Sequence, residues 1–278
     1  MTATALGAAG LAFYSGEIAR HRIEITQPEI RIPNLPPAFD GFRIAQLSDI
    51  HLDEFTEPFF LREAISHING LQPDAVFLTG DFITYDLLPR KFPIHSAWKC
   101  ARILETLACK QRYAVLGNHD VVVSPSAVIA ALTASNISVL RNGWVPLERG
   151  ASRLWLAGVD DPLEGHPDLD RAIPAFMRQR TDEPILLLCH EPDFADTVLT
   201  HPAGPSVALM LSGHTHGGQV RLPLLGAMEL PELGRKYVEG LFQLQSLQLY
   251  VNRGIGTVGL PFRLNCPPEI TSITLRRA

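Results

Sequence analysis

Short apolar runs with helical stretches between them organise most of this chain. Strands are predicted at Phe42–Leu47, Ala75–Leu78, Tyr113–Leu116, Leu154–Ala157, Ile185–Cys189 and Val207–Leu211. Helices are predicted over Pro58–Leu71, Ile94–Leu107, Pro125–Ser135 and Leu169–Arg178, two of them opening on proline, which suits the first helical turn. Ahead of these, isoleucines alternate between Arg22 and Pro33 (Ile23, Ile25, then Ile30, Ile32), predicting an extended strand pair or an edge strand. After Gly218 the pattern turns to strands (Leu247–Val251, Ile270–Leu275) and Pro/Gly loops, with no long helix. Strands alternating with helices predict a layered α/β fold. Without a linker, repeat or low-complexity stretch, residues 22–278 are expected to form one domain behind a short apolar segment, 1–21.

Within that segment, Ala3–Tyr14 carries no charge. It falls short of the about 20 apolar residues a spanning helix needs. It also lacks the basic start of a signal peptide. Two readings stand: a short buried or fraying helix, or the remaining half of an anchor or export signal that starts upstream of Met1. Arg20, His21 and Arg22 would suit the interface flank of the second.

Composition narrows the class. The 278 residues are 46% hydrophobic and 19% charged, and 24 Lys+Arg against 29 Asp+Glu leave −5. These values exclude fibrous, disordered and polytopic membrane proteins. They also supply no basic footprint for nucleic acid, which is not expected as a partner. Cys100, Cys109, Cys189 and Cys266 show no C-x-x-C spacing and are too few for a disulfide scaffold. Ten histidines are the unusual count.

Many of the polar residues stand at strand ends. The predicted strands run into Ser48-Asp49-Ile50-His51, Thr79-Gly80-Asp81, Gly117-Asn118-His119-Asp120, His190 and Gly213-His214-Thr215-His216. In open α/β sheets, sites assemble in the crevice beyond the carboxyl ends of the strands. Singly, each motif has a structural reading: a turn, a cap, a satisfied core histidine. Five in order at strand ends point instead to a metal site, and oxygen and imidazole donors without thiolates suit Mn, Fe or Zn.

The ordered set D-x-H, G-D, G-N-H-D, H and G-H-x-H resembles the calcineurin-like metallophosphoesterases. Phe39-Asp40-Gly41-Phe42, Gly158-Val159-Asp160-Asp161-Pro162, Gly234-Arg235-Lys236-Tyr237 and Asn265-Cys266-Pro267-Pro268-Glu269-Ile270 look like one bacterial branch of it. That branch is often carried on an N-terminal anchor or export signal, and some relatives hydrolyse the pyrophosphate of a diacylated UDP-glucosamine. The resemblance implies a four-layer αββα sandwich and two divalent ions. Asp49, His51 and His216 would hold the first ion, and Asn118, His190 and His214 the second. Asp81 would bridge them, and a bridging hydroxide would attack phosphorus in line. By the same pattern His119 is the general acid. Asp120 either orients its imidazole or caps a helix.

Two further stretches call for a reading. Gly254-Ile255-Gly256-Thr257-Val258-Gly259 matches G-x-G-x-x-G, but Pro261, Pro267 and Pro268 preclude the helix a dinucleotide site needs. The glycines are expected to let backbone approach the cleft, with Arg253 as a candidate phosphate contact. Arg221–Pro231 is apolar without a period: either a loop packed on the domain or an exposed lip that meets a bilayer or an acyl chain, with Arg235 and Lys236 beside it for anionic headgroups.

The expected protein is therefore a dinuclear-metal phosphoesterase. It would act on a phosphodiester or pyrophosphate of a membrane lipid or envelope component, as a monomer associated with a bacterial membrane peripherally or through an N-terminal anchor. Its rivals are a soluble, cytoplasmic phosphodiesterase or phosphatase acting on nucleotides or small esters, and a non-catalytic scaffold.

Overall fold

The computed structural model describes residues 3–53, 55–85, 93–180 and 182–278. A helix, α1 (Ala3–Phe13), precedes the first strands, β1 (Glu24–Thr26), β2 (Glu29–Ile32) and β3 (Arg43–Leu47). Then α2 (Pro58–Leu71), β4 (Ala75–Thr79), α3 (Pro93–Leu104) and β5 (Arg112–Val115) alternate, followed by α4 (Asn118–Val123) and α5 (Pro125–Ala134). Next come β6 (Ser138–Val139), β7 (Gly143–Arg149) and β8 (Ser152–Gly158), then α6 (Leu169–Ala172), α7 (Ala175–Arg178), β9 (Ile185–Leu188), α8 (Ala195–Thr200) and β10 (Val207–Ser212). A small hairpin, β11 (Arg221–Leu222) and β12 (Gly226–Ala227), precedes β13 (Gly240–Leu244), β14 (Leu247–Val251) and β15 (Glu269–Arg277). No described helix is long and apolar enough to cross a membrane.

The strands form two main sheets. One has the order β1-β15-β3-β4-β5-β6, with β2 also on β15; the other runs β13-β14-β10-β9-β8-β7. β1 and β2 both pair parallel to β15, so the isoleucine-rich segment is one edge strand interrupted at Pro28 rather than a hairpin. The β3–β6 run and the β8-β9-β10-β14 run are internally parallel. Their carboxyl ends therefore point one way within each sheet.

Strict alternation makes four layers of these elements. In β9, Leu186 and Leu188 join Ile44, Phe77, Val115, Leu209 and Leu211 between the sheets. Ile185 and Leu187 face the other way, with Met210, against Ala172, Met177 and Val198 of α6 to α8. On the opposite outer face, Ala45, Leu47, Val76 and Leu78 pack on Leu61, Ile65, Cys100, Leu104 and Leu132 of α2, α3 and α5. Each buried aliphatic side chain contributes about 1.5–3 kcal/mol. This is the expected αββα sandwich. The predicted helix Leu169–Arg178 is two short helices, because Pro174 cannot donate its backbone N–H in a helix interior. Gln46 ties the layers together near the site: its buried amide donates to the Ser212 carbonyl at 2.9 Å and the Thr79 hydroxyl at 3.2 Å.

Candidate metal centre

The polar residues leave the sheets by an unusual backbone route. Asp49, His51, Asp81, His214 and His216 all have positive φ, between 47° and 72°. Such residues cost about 1–3 kcal/mol each, and Asp and His bear them better than branched residues do. The turns are held by backbone bonds between strand ends: Asp49 N–H to the Gly80 carbonyl at 3.0 Å, and Ile50 and His51 N–H to the Asp81 carbonyl at 2.8 and 3.0 Å. Gly117 has to be glycine, since a Cβ there would overlap the Asp81 carboxylate.

The result is a compact donor set. Asp49, His51 and His216 offer ligand atoms within 4.8 Å of one another, as do Asp81, His190 and His214, and likewise His51, Asp81 and His119. Asp81 stands between the halves, with Oδ2 3.4 Å from His51 Nε2 and 3.2 Å from His190 Nε2. His51 and His216 turn their Nε2 atoms toward each other at 3.1 Å. The Asn118 Oδ1 atom is buried and has no hydrogen-bond partner. The residues expected from the sequence to hold metal thus meet in one place.

Each of these rings is pinned from behind. His51 Nδ1 hydrogen-bonds Thr84 Oγ1 at 3.0 Å, and His190 Nδ1 donates to the Thr79 carbonyl at 2.6 Å. His214 Nε2 donates to the Glu232 carbonyl at 2.8 Å, and His216 Nδ1 to the Gly256 carbonyl at 3.3 Å. Carbonyl acceptors hold one nitrogen of three of the rings and turn the opposite nitrogen to the cluster, where it offers a lone pair whenever the ring is neutral; this is the arrangement of metal-ligating histidine. Asp49 has a matching support, its two oxygens accepting the His214 N–H at 3.0 Å each.

Electrostatics agree with a cation site. Burial pushes His51 and His216 well below the usual imidazole range, and burial with neighbouring His190 takes His214 to about 4. These rings are neutral donors at physiological pH. For His190 burial acts the same way, but the Asp81 carboxylate outweighs it and raises the ring well above its ordinary value. A divalent cation would have to displace that proton, so affinity should fall as pH falls. For Asp81, burial opposes the charge and His190 and His119 overcome it, keeping the carboxyl ionised.

His119 is half-buried beside this cluster, its ring edge-on to His51 at a centroid distance of 4.9 Å. Its Nδ1 accepts the Tyr85 N–H at 2.8 Å. Asp120 does not orient that imidazole. Its Oδ1 accepts the N–H groups of Phe82 and Ile83 at 3.0 and 3.3 Å, and its Oδ2 that of Gly117 at 3.0 Å. The carboxylate braces the loop after β4 against the start of α4, three residues after Gly117, which is the capping alternative. Burial and the Asp81 charge push the Asp120 carboxyl well upward.

Two expected basic contacts are spent elsewhere. Arg253 pairs with Glu24 at 2.8 Å and Glu269 at 3.0 Å, so it is not free for a phosphate. Lys236 pairs with Asp196 at 2.7 Å. The glycine-rich loop opens no helix, and Gly254 lies so close to Asp49 that a Cβ there would come within 2.5 Å of its Cβ. Arg263, which sequence reasoning passed over, lies fully buried beneath that loop.

A cavity of about 740 Å³ opens over the cluster. Asp81, Asn118, His119, His214 and His216 face it at the bottom, and Leu11, Leu222, Met228, Leu260 and Phe262 are among its walls. The apolar stretch after β10 is the β11–β12 hairpin, with Leu224 and Leu225 fully or largely exposed at its tip. Packed loop and exposed lip both describe it: its base lines the cavity and its tip meets solvent.

The model of the calcineurin-like phosphoesterases matches residues 42–218. The uncharacterized metallophosphoesterase YkuE of Bacillus subtilis is 37% identical, over 99% of this chain and 93% of its own length. Phosphodiesterase YaeI of Escherichia coli is 31% identical, over 93% and 88%. The UDP-2,3-diacylglucosamine pyrophosphatase LpxG of Chlamydia trachomatis is 28% identical, over 85% of each chain. With clustered Asp and His donors at the strand ends and likeness along nearly its whole length, the chain belongs to the calcineurin-like phosphoesterases and is a metal-dependent phosphoester hydrolase.

Proposed function

We propose that this enzyme cleaves a phosphodiester or pyrophosphate bond in a lipid-linked, envelope-type substrate while resting on a membrane surface. The supporting observation is the cavity: polar donors at its bottom and apolar walls that include Met228 and Leu260, each 61% exposed, with the exposed hairpin tip of Leu224 and Leu225 beside them. Such a cavity suits an amphiphile, with phosphate at the floor and hydrocarbon at the wall. The lipid pyrophosphatase among the relatives is in keeping with this.

In this reading Asp49, His51 and His216 hold one divalent ion. Asn118, His190 and His214 hold the other, and Asp81 is shared. Two such ions, Mn, Fe or Zn by donor type, supply charge for the phosphoryl oxygens and activate water near neutral pH. His119 is the proton donor to the leaving oxygen. With Nδ1 occupied as an acceptor from Tyr85, the neutral ring carries its proton on Nε2.

The test is hydrolysis of bis-p-nitrophenyl phosphate by chelated and metal-reloaded enzyme, then of detergent-dispersed lipid pyrophosphate against dinucleotides. Metal-dependent turnover with at least tenfold higher kcat/KM on the lipid is expected; preference for dinucleotides overturns the lipid assignment. Sedimentation with neutral phosphatidylcholine vesicles should retain the protein at high salt, because the rim is apolar and screening leaves that contact intact. Protein that stays in the supernatant refutes membrane docking.

A further inference from the structure

Arg263 is the largest of the fully buried side chains. Its guanidinium donates chiefly to backbone carbonyls: Gly256 at 2.6 Å (Nη2) and 3.1 Å (Nε), Arg253 at 2.9 Å, Gly254 at 3.1 Å and Cys266 at 3.2 Å. Among the described residues no carboxylate oxygen lies within 4.0 Å of it. A buried cation without an anionic partner is expensive, so its retention calls for a purpose. The loop it grips is fastened on the other side to the Asp49 turn, through Ile255 N–H to the Ser48 carbonyl at 3.1 Å and Gly256 N–H to the Asp49 carbonyl at 2.7 Å. The Gly256 carbonyl, shared between Arg263 and His216 Nδ1, is the link to the metal centre. Arg263 Nη2 itself comes within 3.5 Å of that nitrogen.

We propose that Arg263 is a positioning residue for one half of the metal centre. It locks the 253–256 loop so that the Gly256 carbonyl fixes the ring and tautomer of His216. The other half is independent of it, because His190 and His214 are pinned by the Thr79 and Glu232 carbonyls. This inference rests on the metal-centre reading.

Arg263→Met, Arg263→Lys and wild type are stripped by chelation and titrated with Mn²⁺, reading ions per chain, affinity of each site and thermal midpoint. Outer partners of metal-ligating histidine are worth about 10–100-fold in affinity. Arg263→Met should keep one tight site and weaken the other at least tenfold, matching His216→Ala and not His214→Ala. Arg263→Lys, which keeps some of the hydrogen bonds to the loop carbonyls, should fall between. Equal weakening of both sites, two wild-type affinities in both variants, or failure of both variants to fold each overturns the proposal. Wild type that binds no divalent ion would instead sink the metal-centre reading itself.

Discussion

At and beneath the bottom of the cavity, Asp49, His51, Asp81, His190, His214 and His216 are at most 6% exposed, and each of the four rings has its second nitrogen bonded to an oxygen. At its rim stands Met228, 61% exposed, and beyond it the hairpin tip carries Leu224 and Leu225, 107% and 76% exposed, with Leu224 at positive φ between two-residue strands. Floor and rim belong to one cavity, yet one is over-determined and the other nearly unconstrained. Strained turns and buried polar groups persist at the floor because two sheets and their loops hold each of them from several sides. Few packing contacts hold the hairpin tip, so its side chains are free to be chosen for what lies outside the molecule.

That contrast is sharpest in substitution. Asp81→Ala should leave less than one ion per chain and abolish turnover, since the carboxylate faces both halves; two ions by elemental analysis would refute its shared role. His119→Asn should keep both ions and slow alkyl esters by about 10²–10⁴-fold, with much smaller losses on p-nitrophenyl esters, whose leaving group needs no proton. Equal slowing on both would count against the acid role.

Rim changes should read out differently. Replacing Leu224, Leu225 and Met228 together by Ser should leave bis-p-nitrophenyl phosphate turnover unchanged and stability within roughly 0.5 kcal/mol per site. Vesicle retention should fall severalfold. A drop in turnover on the soluble ester would mean the hairpin is part of the floor.

The smallest effect concerns the approach to the rim. Arg20 bonds Glu57 at 2.6 Å and His21 does so at 3.0 Å, tying the segment after α1 to the start of α2. Burial would raise the Glu57 carboxyl, but the hydrogen bonds from Arg20 and His21 prevail and lower it. A carboxyl lowered on folding stabilises above its unfolded value and loses that contribution as pH falls through its folded one. Amide protection in residues 14–21, measured relative to the intrinsic exchange rate at each pH, should therefore fall below pH 4.5, its ordinary value. Glu57→Gln should exchange fast already at pH 7.

Much of the floor was legible in the chain because strand ends carry its chemistry in order, and short apolar runs mark the strands themselves. The pinning partners were not legible. Thr79, Thr84, Glu232 and Gly256 act through main-chain carbonyls or an ordinary hydroxyl, and no residue type announces that. Asp120 illustrates the ambiguity: its place beside His119 suits an orienting carboxylate, and only the fold turns it to the N–H groups of Phe82, Ile83 and Gly117. Arg253 looked available for phosphate and Lys236 for anionic headgroups because sequence shows charge and not partners.

From the residues alone came the layered α/β class, the donor set with its five ordered motifs, and the exclusion of a dinucleotide loop. Those are local properties: periodicity, spacing and the proline that forbids a helix. Tertiary structure alone decided which nitrogen of each ring faces the cluster, that Arg263 lies under the glycine loop, and that α1 and the β11–β12 hairpin wall the same cavity. Several of these depend on groups far apart in sequence coming within hydrogen-bond or packing distance, such as His216 and Gly256, 40 residues apart, or Leu11 and Met228 on the walls of one cavity. No pattern read along the chain encodes that meeting.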